Sequence, residues 1–404
     1  MSTLLKGRIA AALMFAAYGI ILGAWTSRIP SVKQGLHLTD GQLSLGLLGF
    51  AAGAITGMQL IGRLVDRYGG ARIMIPMAIV DAAALVSPAF APNLGTLIAA
   101  LFVFGAAHGT VNIAMNGNAV EVERAWQKPI MSSFHAVYSI GGFLGAAIGG
   151  LCAQADLGAR TTFMVVAITI AVMAILASRW AYTERVAAAG APAEKGPLPG
   201  VYFLALLAFC CLVGEGAAAD WSTVYVRDTL HSGAGFAAAA YAAFSIMMTV
   251  GRLVGDRLAA RLGTVTLVRA SGVLAAVSLG VALLVNDPVA GVVGFGFFGA
   301  GLSCIAPLVF SAAGSRNPQR AGQAIARVAS LGWIGFLIGP IVIGGAAELV
   351  GLSWALTIPV ALALFVGLAA AALRADGRVH GRPVIPAQRK PTVDDSGHRS
   401  RARP

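Results

Sequence analysis

Several polar side chains lie inside long apolar stretches of this chain, and their types suit proton exchange or recognition of a small polar molecule. Glu215 sits in VYFLALLAFCCLVGEGAAAD, with no cation close to it in sequence. A carboxylate in such a run is costly unless it meets water, a partner or a ligand. It can take up and release a proton, accept from a hydroxyl or hold an amine, or it can form a structural ion pair, for which Arg28 is one candidate. His108, Asn112 and Asn116 recur every fourth residue in LFVFGAAHGTVNIAMN, which puts them on one helical face. That stripe either lines a wet cavity or bonds to a neighbouring helix, and for His108 the structural role is the plainer reading. Glu123 and His135 flank a short polar connection and can share a proton across a hairpin. They can equally dock against an arginine as part of a gate. Tyr138 and Ser139, one turn further along, are candidate lining of the same space. Trp25 and Trp333 offer rings that stack on a sugar face or a cation, or anchor at an interface. Asp220 and Arg28 read as charges at the outer ends of their apolar runs.

The elements that must position these groups follow from composition. The chain has 404 residues, 57% hydrophobic and only 11% charged. A water-soluble domain of this size carries about twice that charge, so the chain reads as an all-α, polytopic membrane protein. Apolar runs of about 20 residues predict twelve spans, at 9–27, 42–63, 73–92, 95–118, 130–152, 161–180, 201–220, 236–254, 264–285, 289–312, 323–346 and 353–373. The first has the basic start of a signal peptide but reads as an uncleaved span. The Ala/Gly/Pro-rich stretch within 181–200 divides the rest into an N-terminal six-helix half, 1–180, and a C-terminal half, 201–373. A basic tail, 374–404, is expected to be disordered. Of the 29 Lys and Arg, only Arg28, Lys33, Arg160 and Arg227 fall outside when both termini are cytoplasmic, which sets the orientation. The net charge of +12 is spread over short loops and the tail, which excludes a nucleic-acid surface. Cys152, Cys210, Cys211 and Cys304 sit in apolar stretches without metal or disulfide spacing. No phosphate-binding loop, metal motif or nucleophilic triad is present, so neither a cofactor nor an enzyme is expected. Gly141, Gly145 and Gly149 repeat every fourth residue, a pattern that lets helices pack closely.

A charged phrase is written twice. GRLVDRYGGAR, 62–72, follows the second span, and GRLVGDRLAARLG, 251–263, follows the eighth. Equivalent places in the two halves imply parallel six-helix repeats. Arginines at a helix C-terminus suit its dipole, and the embedded Asp66 can bond to the arginines or to a helix N-terminus. Gly62, Arg63, Asp66, Arg67 and Arg72, with Arg252, Asp256 and Arg257 in the second half, therefore read as a latch on the cytoplasmic side, with Glu123 and His135 beside it. Positive-inside topology alone accounts for the arginines but not for the aspartates.

On Gly62, Asp66, Arg67, Gly69 and Arg72, the first phrase resembles the loop 2–3 signature of the major facilitator superfamily. MNGNAVEVERAWQKPIMSSFHAVYSIGG, 115–142, is similar to a bacterial group that includes the MosC and YbjJ membrane proteins, through Met115, Asn116, Val122, Glu123, His135, Ser139 and Gly141. The resemblance implies a twelve-helix fold of two pseudo-symmetric halves in the bacterial inner membrane. It implies secondary transport of a small polar solute by alternating access, coupled to protons or a counter-substrate and carried out by a monomer. The lining would come from spans 1, 4, 5, 7, 10 and 11. The fourth span lacks the arginine, and the fifth the Gly-Pro, that mark drug exporters of this superfamily. A drug or metabolite exporter, and a non-transporting sensor or scaffold on the same fold, stand as alternatives.

Overall fold

The computed structural model describes residues 2–183, 198 and 200–374. Most of the expected 181–200 linker and the tail beyond Arg374 lie outside the described residues. Twelve helices there are long and apolar enough to cross a membrane. They are α1 Thr3–Gly35, α2 Gly41–Tyr68, α3 Gly70–Phe90, α4 Leu94–Trp126, α5 Met131–Gln154, α6 Ala159–Ser178, α7 Val201–Thr229, α8 Gly235–Leu262, α9 Thr264–Val285, α10 Pro288–Arg316, α11 Pro318–Val350 and α12 Leu352–Leu373.

Apolar runs mark the part of each helix that lies in hydrocarbon, not its ends. α9 falls on the expected 264–285, whereas α1 extends well beyond 9–27 at both ends. Caps set those ends. The Ser2 hydroxyl accepts the Leu5 N–H before α1. Thr39 with Gln42, and Asn93 with Thr96, form reciprocal capping boxes before α2 and α4, each satisfying donors that a first turn leaves open. α10, expected as one run, is interrupted between Pro288–Leu302 and Ile305–Arg316. Pro307 lacks the N–H that would bond the Ser303 carbonyl, which frees the chain to bend there.

The packing repeats. α1 lies on α5, α2 on α4 and α3 on α6; α7 lies on α11, α8 on α10 and α9 on α12. Each half turns from its second to its third helix through a glycine at positive φ, 90° at Gly69 and 78° at Gly263. A side chain is strained in that conformation. The two halves meet along α2 with α11 and α5 with α8. The glycine repeat of α5 is a contact surface: a Cβ at Gly145 would stand 2.2 Å from the Ile20 carbonyl oxygen of α1. The backbones of α1 and α5 therefore touch. Leu60, Ile168, Leu284 and Leu349 are among the exposed large apolar side chains, as expected of surfaces that face lipid. We call the end of the bundle carrying Thr3, the α2–α3 turn and the α8–α9 turn the basic face, after Lys6, Arg8, Arg67, Arg72, Lys128, Arg257 and Arg261.

Candidate functional site

A cavity of ≈150 Å³ lies between the halves, lined from α1, α4, α5, α7, α8, α10 and α11. α8 was not among the expected lining helices. It contributes Arg252, which the sequence groups with the latch but which the structure places deeper, one turn before Asp256. The Arg252 guanidinium lies 3.5 Å from the Glu215 carboxylate of α7. Its other terminal nitrogen donates to the Ser139 hydroxyl of α5, in the opposite half, at 2.8 Å. Glu215 therefore pairs with Arg252, while Arg28 donates to the Leu157 carbonyl at 2.5 Å. Arg252 is 7% and Glu215 19% exposed, so the pair is sheltered without being closed off from the cavity.

Tyr138, Asn112, His135 and Trp333 also reach this cavity. The His135 ring stacks on Phe310 and meets Phe15 edge-on. Trp333 lies between Phe50 and Phe336. The Asn112 amide donates to the Tyr18 hydroxyl at 3.1 Å. Three buried atoms on this wall, Asn112 Oδ1, His135 Nε2 and Arg252 Nε, have no hydrogen-bond partner among the described residues. A wall of aromatic rings with one ion pair and polar atoms that make no bond to protein is of the kind that can cover the apolar faces of a small guest while polar atoms orient it.

Other sequence candidates fall elsewhere. Trp25 is 2% exposed and packs on Phe104 and Phe163 inside the N-terminal half. It is a core residue there, neither a cavity ring nor an interface anchor. Asn116 is fully buried and donates to the Asn112 carbonyl of its own helix at 2.8 Å. His108 meets Asp81 of α3 at 2.9 Å, with both side chains fully buried. Asp81 was missed, although a lone acid in MAIVDAAALV carries the same signal as Glu215. Asp220 is exposed.

At the basic face carboxylates sit on helix N-termini, where unpaired N–H groups and the helix dipole favour an anion. Asp66 accepts from the Gly322 N–H at 2.6 Å and from the Gln323 side-chain amide at 2.7 Å, at the start of α11 in the other half. Asp256 accepts from the Ser132 and Ser133 N–H groups at 2.9 and 3.1 Å, at the start of α5. Glu123 accepts from the Ile130 and Met131 N–H groups at 2.8 and 2.9 Å and from the Ser311 hydroxyl of α10. Glu123 and His135 are thus not brought together. The Arg124 guanidinium donates to the Gly314 carbonyl, a further cross-half bond that sequence reasoning missed. Gly62 supplies the close approach, since a Cβ there would stand 3.1 Å from the Gly322 carbonyl oxygen. Arg63 lines a side groove with Gln323 and Arg327, Arg67 lies over the Tyr68 ring, and Arg72 and Arg257 are exposed.

The family model described as Major Facilitator Superfamily matches residues 8–326 and 204–400. The chain is 35% identical to an uncharacterized transporter, y4wD, of Sinorhizobium fredii, over 83% of this chain and 89% of that protein. It is 32% identical to an uncharacterized MFS-type transporter of Yersinia pestis, covering 91% of this chain and 95% of that one. Against the membrane protein MosC of Rhizobium meliloti it is 31% identical, covering 89% and 88%. Among solved structures, the fucose:proton symporter of E. coli superposes with a TM-score of 0.79 at 16% identity, covering 93% of this chain and all of that one. The proton:xylose symporter XylE superposes with a TM-score of 0.71 at 12% identity, covering 91% and 95%.

Proposed function

The chain belongs to the major facilitator superfamily, and on that premise we propose that it moves a small polar solute, a sugar, polyol or amine-like molecule, across the bacterial inner membrane by proton-coupled alternating access. The observation that carries this reading is the Arg252–Glu215 pair in the cavity, with Arg252 also held by Ser139 of the opposite half. A proton on Glu215 removes the charge that holds Arg252 from its own half. The guanidinium, still held by Ser139, is then free to turn its other side toward a bound solute, so proton and solute act on the same contact between halves. A ligand shifts a conformational equilibrium only by its difference in affinity between the states, and a cross-half contact within the binding site is where such a difference arises.

The basic face is taken as cytoplasmic by the positive-inside rule. Asp66 and Asp256 then hold the cytoplasmic side closed. Release of both carboxylates from the N-termini of α11 and α5 opens that side. Each half moves as a unit around the cavity, and the protein works as a monomer in the bilayer. The walls of Trp333, Phe336 and Phe310 favour a solute with an apolar face over a small ion. Gly-Pro is absent from the α5 repeat, in keeping with solute coupling rather than drug export.

The test is ligand-induced thermal stabilisation of purified protein against sugars, polyols, amino sugars and amines, with Glu215→Gln in parallel. A solute at about 100 times its Kd should stabilise by about 2.7 kcal/mol. A stabilising solute whose effect is lost or made independent of pH in Glu215→Gln supports the reading. Stabilisation by none of these classes refutes the assignment to small polar solutes.

A further inference from the structure

We propose that Asp81 and His108 form a second proton-binding site, set behind the cavity wall in the N-terminal half and sensed by the cavity through Tyr18. The proposal rests on the proton-coupled reading above, and its ligand is a proton.

Geometry carries it. The His108 Nδ1 and Asp81 Oδ2 atoms are 2.9 Å apart, and both side chains are fully buried. The remaining atoms of the pair, Asp81 Oδ1 and His108 Nε2, have no hydrogen-bond partner among the described residues. Two polar atoms of the pair are therefore open to a proton or to water rather than spent on protein partners. The pair is also one ring away from the cavity. The Tyr18 ring stacks on His108 with centroids 3.7 Å apart and planes 10° apart, and Tyr18 lines the cavity. The Tyr18 hydroxyl accepts from Asn112, one turn from His108 on α4.

Proton counting separates two conditions of the pair. With one shared proton it is neutral overall, whether written as carboxylate and imidazolium or as carboxylic acid and imidazole. Neutrality is what a dry site demands. Losing that proton leaves a net negative charge, which is tolerable only where water or a cation reaches the pair. While the Tyr18 ring stays stacked, the proton is retained; when a solute or the rocking of α1 displaces the ring, the proton can exchange. The surroundings add little charge of their own. α1 contributes the Tyr18 hydroxyl, with Tyr138 of α5 tilted against that ring. α2 contributes Phe50 and α4 contributes Phe104 beside His108. α6, packed on α3, carries its single ionisable side chain, Arg160, at its outer end over Phe90.

The test is the pH-induced infrared difference spectrum of the purified full-length protein in lipid, which reads carboxylic-acid and histidine-ring bands without any solute. A carboxylic band lost in Asp81→Asn and kept in Glu215→Gln, with a histidine-ring band lost in His108→Gln, supports the site. His108→Gln keeps the measurement possible should Asn at position 81 prevent folding. Folded Asp81→Asn and His108→Gln proteins with difference spectra identical to wild type overturn it. The coupling reading is separable. If these bands titrate while solute movement by the wild type ignores an imposed pH gradient, the proton site stands and the coupling reading falls.

Discussion

The carboxylate of Asp66, at the end of α2, accepts the backbone N–H of Gly322, at the start of α11 in the opposite half, at 2.6 Å. Asp256 does the same for Ser132 at the start of α5. Each half thus lends an anion to a helix N-terminus of the other, and the duplicated charged phrase becomes a reciprocal clasp. Hydrogen bonds to charged groups contribute about 1.5–3 kcal/mol each. Asp66→Asn should therefore shift the equilibrium toward the state open at the basic face by about tenfold or more, with folding retained. Spin labels at Lys128 and Arg261, on opposite halves, should report a longer distance in Asp66→Asn than in wild type. An unchanged distance together with normal transport would sink the clasp.

Steric closure should behave like the clasp. A Cβ at Gly322 would stand 2.6 Å from the Gly62 carbonyl oxygen, and backbone cannot yield as a flexible side chain can. Gly322→Val should prevent α2 and α11 from closing, lower transport more than tenfold in the sense of a population shift, and lengthen the same label distance. Transport at the wild-type rate would show that the two helices need not approach this closely.

The Arg252–Glu215 pair makes a prediction about stability. Removing one partner of a sheltered ion pair strands the other and costs about 3 kcal/mol. Arg252→Met should lower the melting temperature clearly, and Arg252→Met with Glu215→Gln should recover most of the loss. Additive losses in the double variant would mean that the two side chains do not interact in the folded protein.

The two tryptophans should separate stability from function. Trp25 is wholly packed inside the N-terminal half, so Trp25→Ala should destabilise by about 3–5 kcal/mol. Trp333 borders the cavity, so Trp333→Ala should leave melting near wild type and raise the KM for solute by about tenfold, the loss of one stacked ring. Equal melting losses for both would remove Trp333 from the wall of a binding site.

The helices, their pairing and the cavity were legible in the sequence to different degrees. The twelve spans come from a one-dimensional apolar signal, and the equivalence of the halves from the repeated phrase. The partners of polar residues are a different matter, because they are set by which helices cross. Nothing local in sequence joins Arg252 to Glu215, 37 residues away, or turns Arg252 inward while Asp256 points to α5. Asp81 was readable and overlooked: a single acid in an apolar run needs a partner, and His108 was already singled out. Trp25 misled because a ring near a span end has several common uses, and only packing on Phe104 and Phe163 distinguishes a core residue. Pro307 was the visible sign of the break in α10.

The measurement that bears most directly on proton-coupled transport through this cavity uses sealed proteoliposomes loaded with a pH-sensitive dye, to which a solute that stabilises the purified protein is added. Solute entry should bring protons with it, an imposed gradient with acid outside should accelerate entry, and both effects should vanish in Glu215→Gln. Solute that crosses at the same rate with and without the gradient, with no movement of protons, would contradict proton coupling by Glu215.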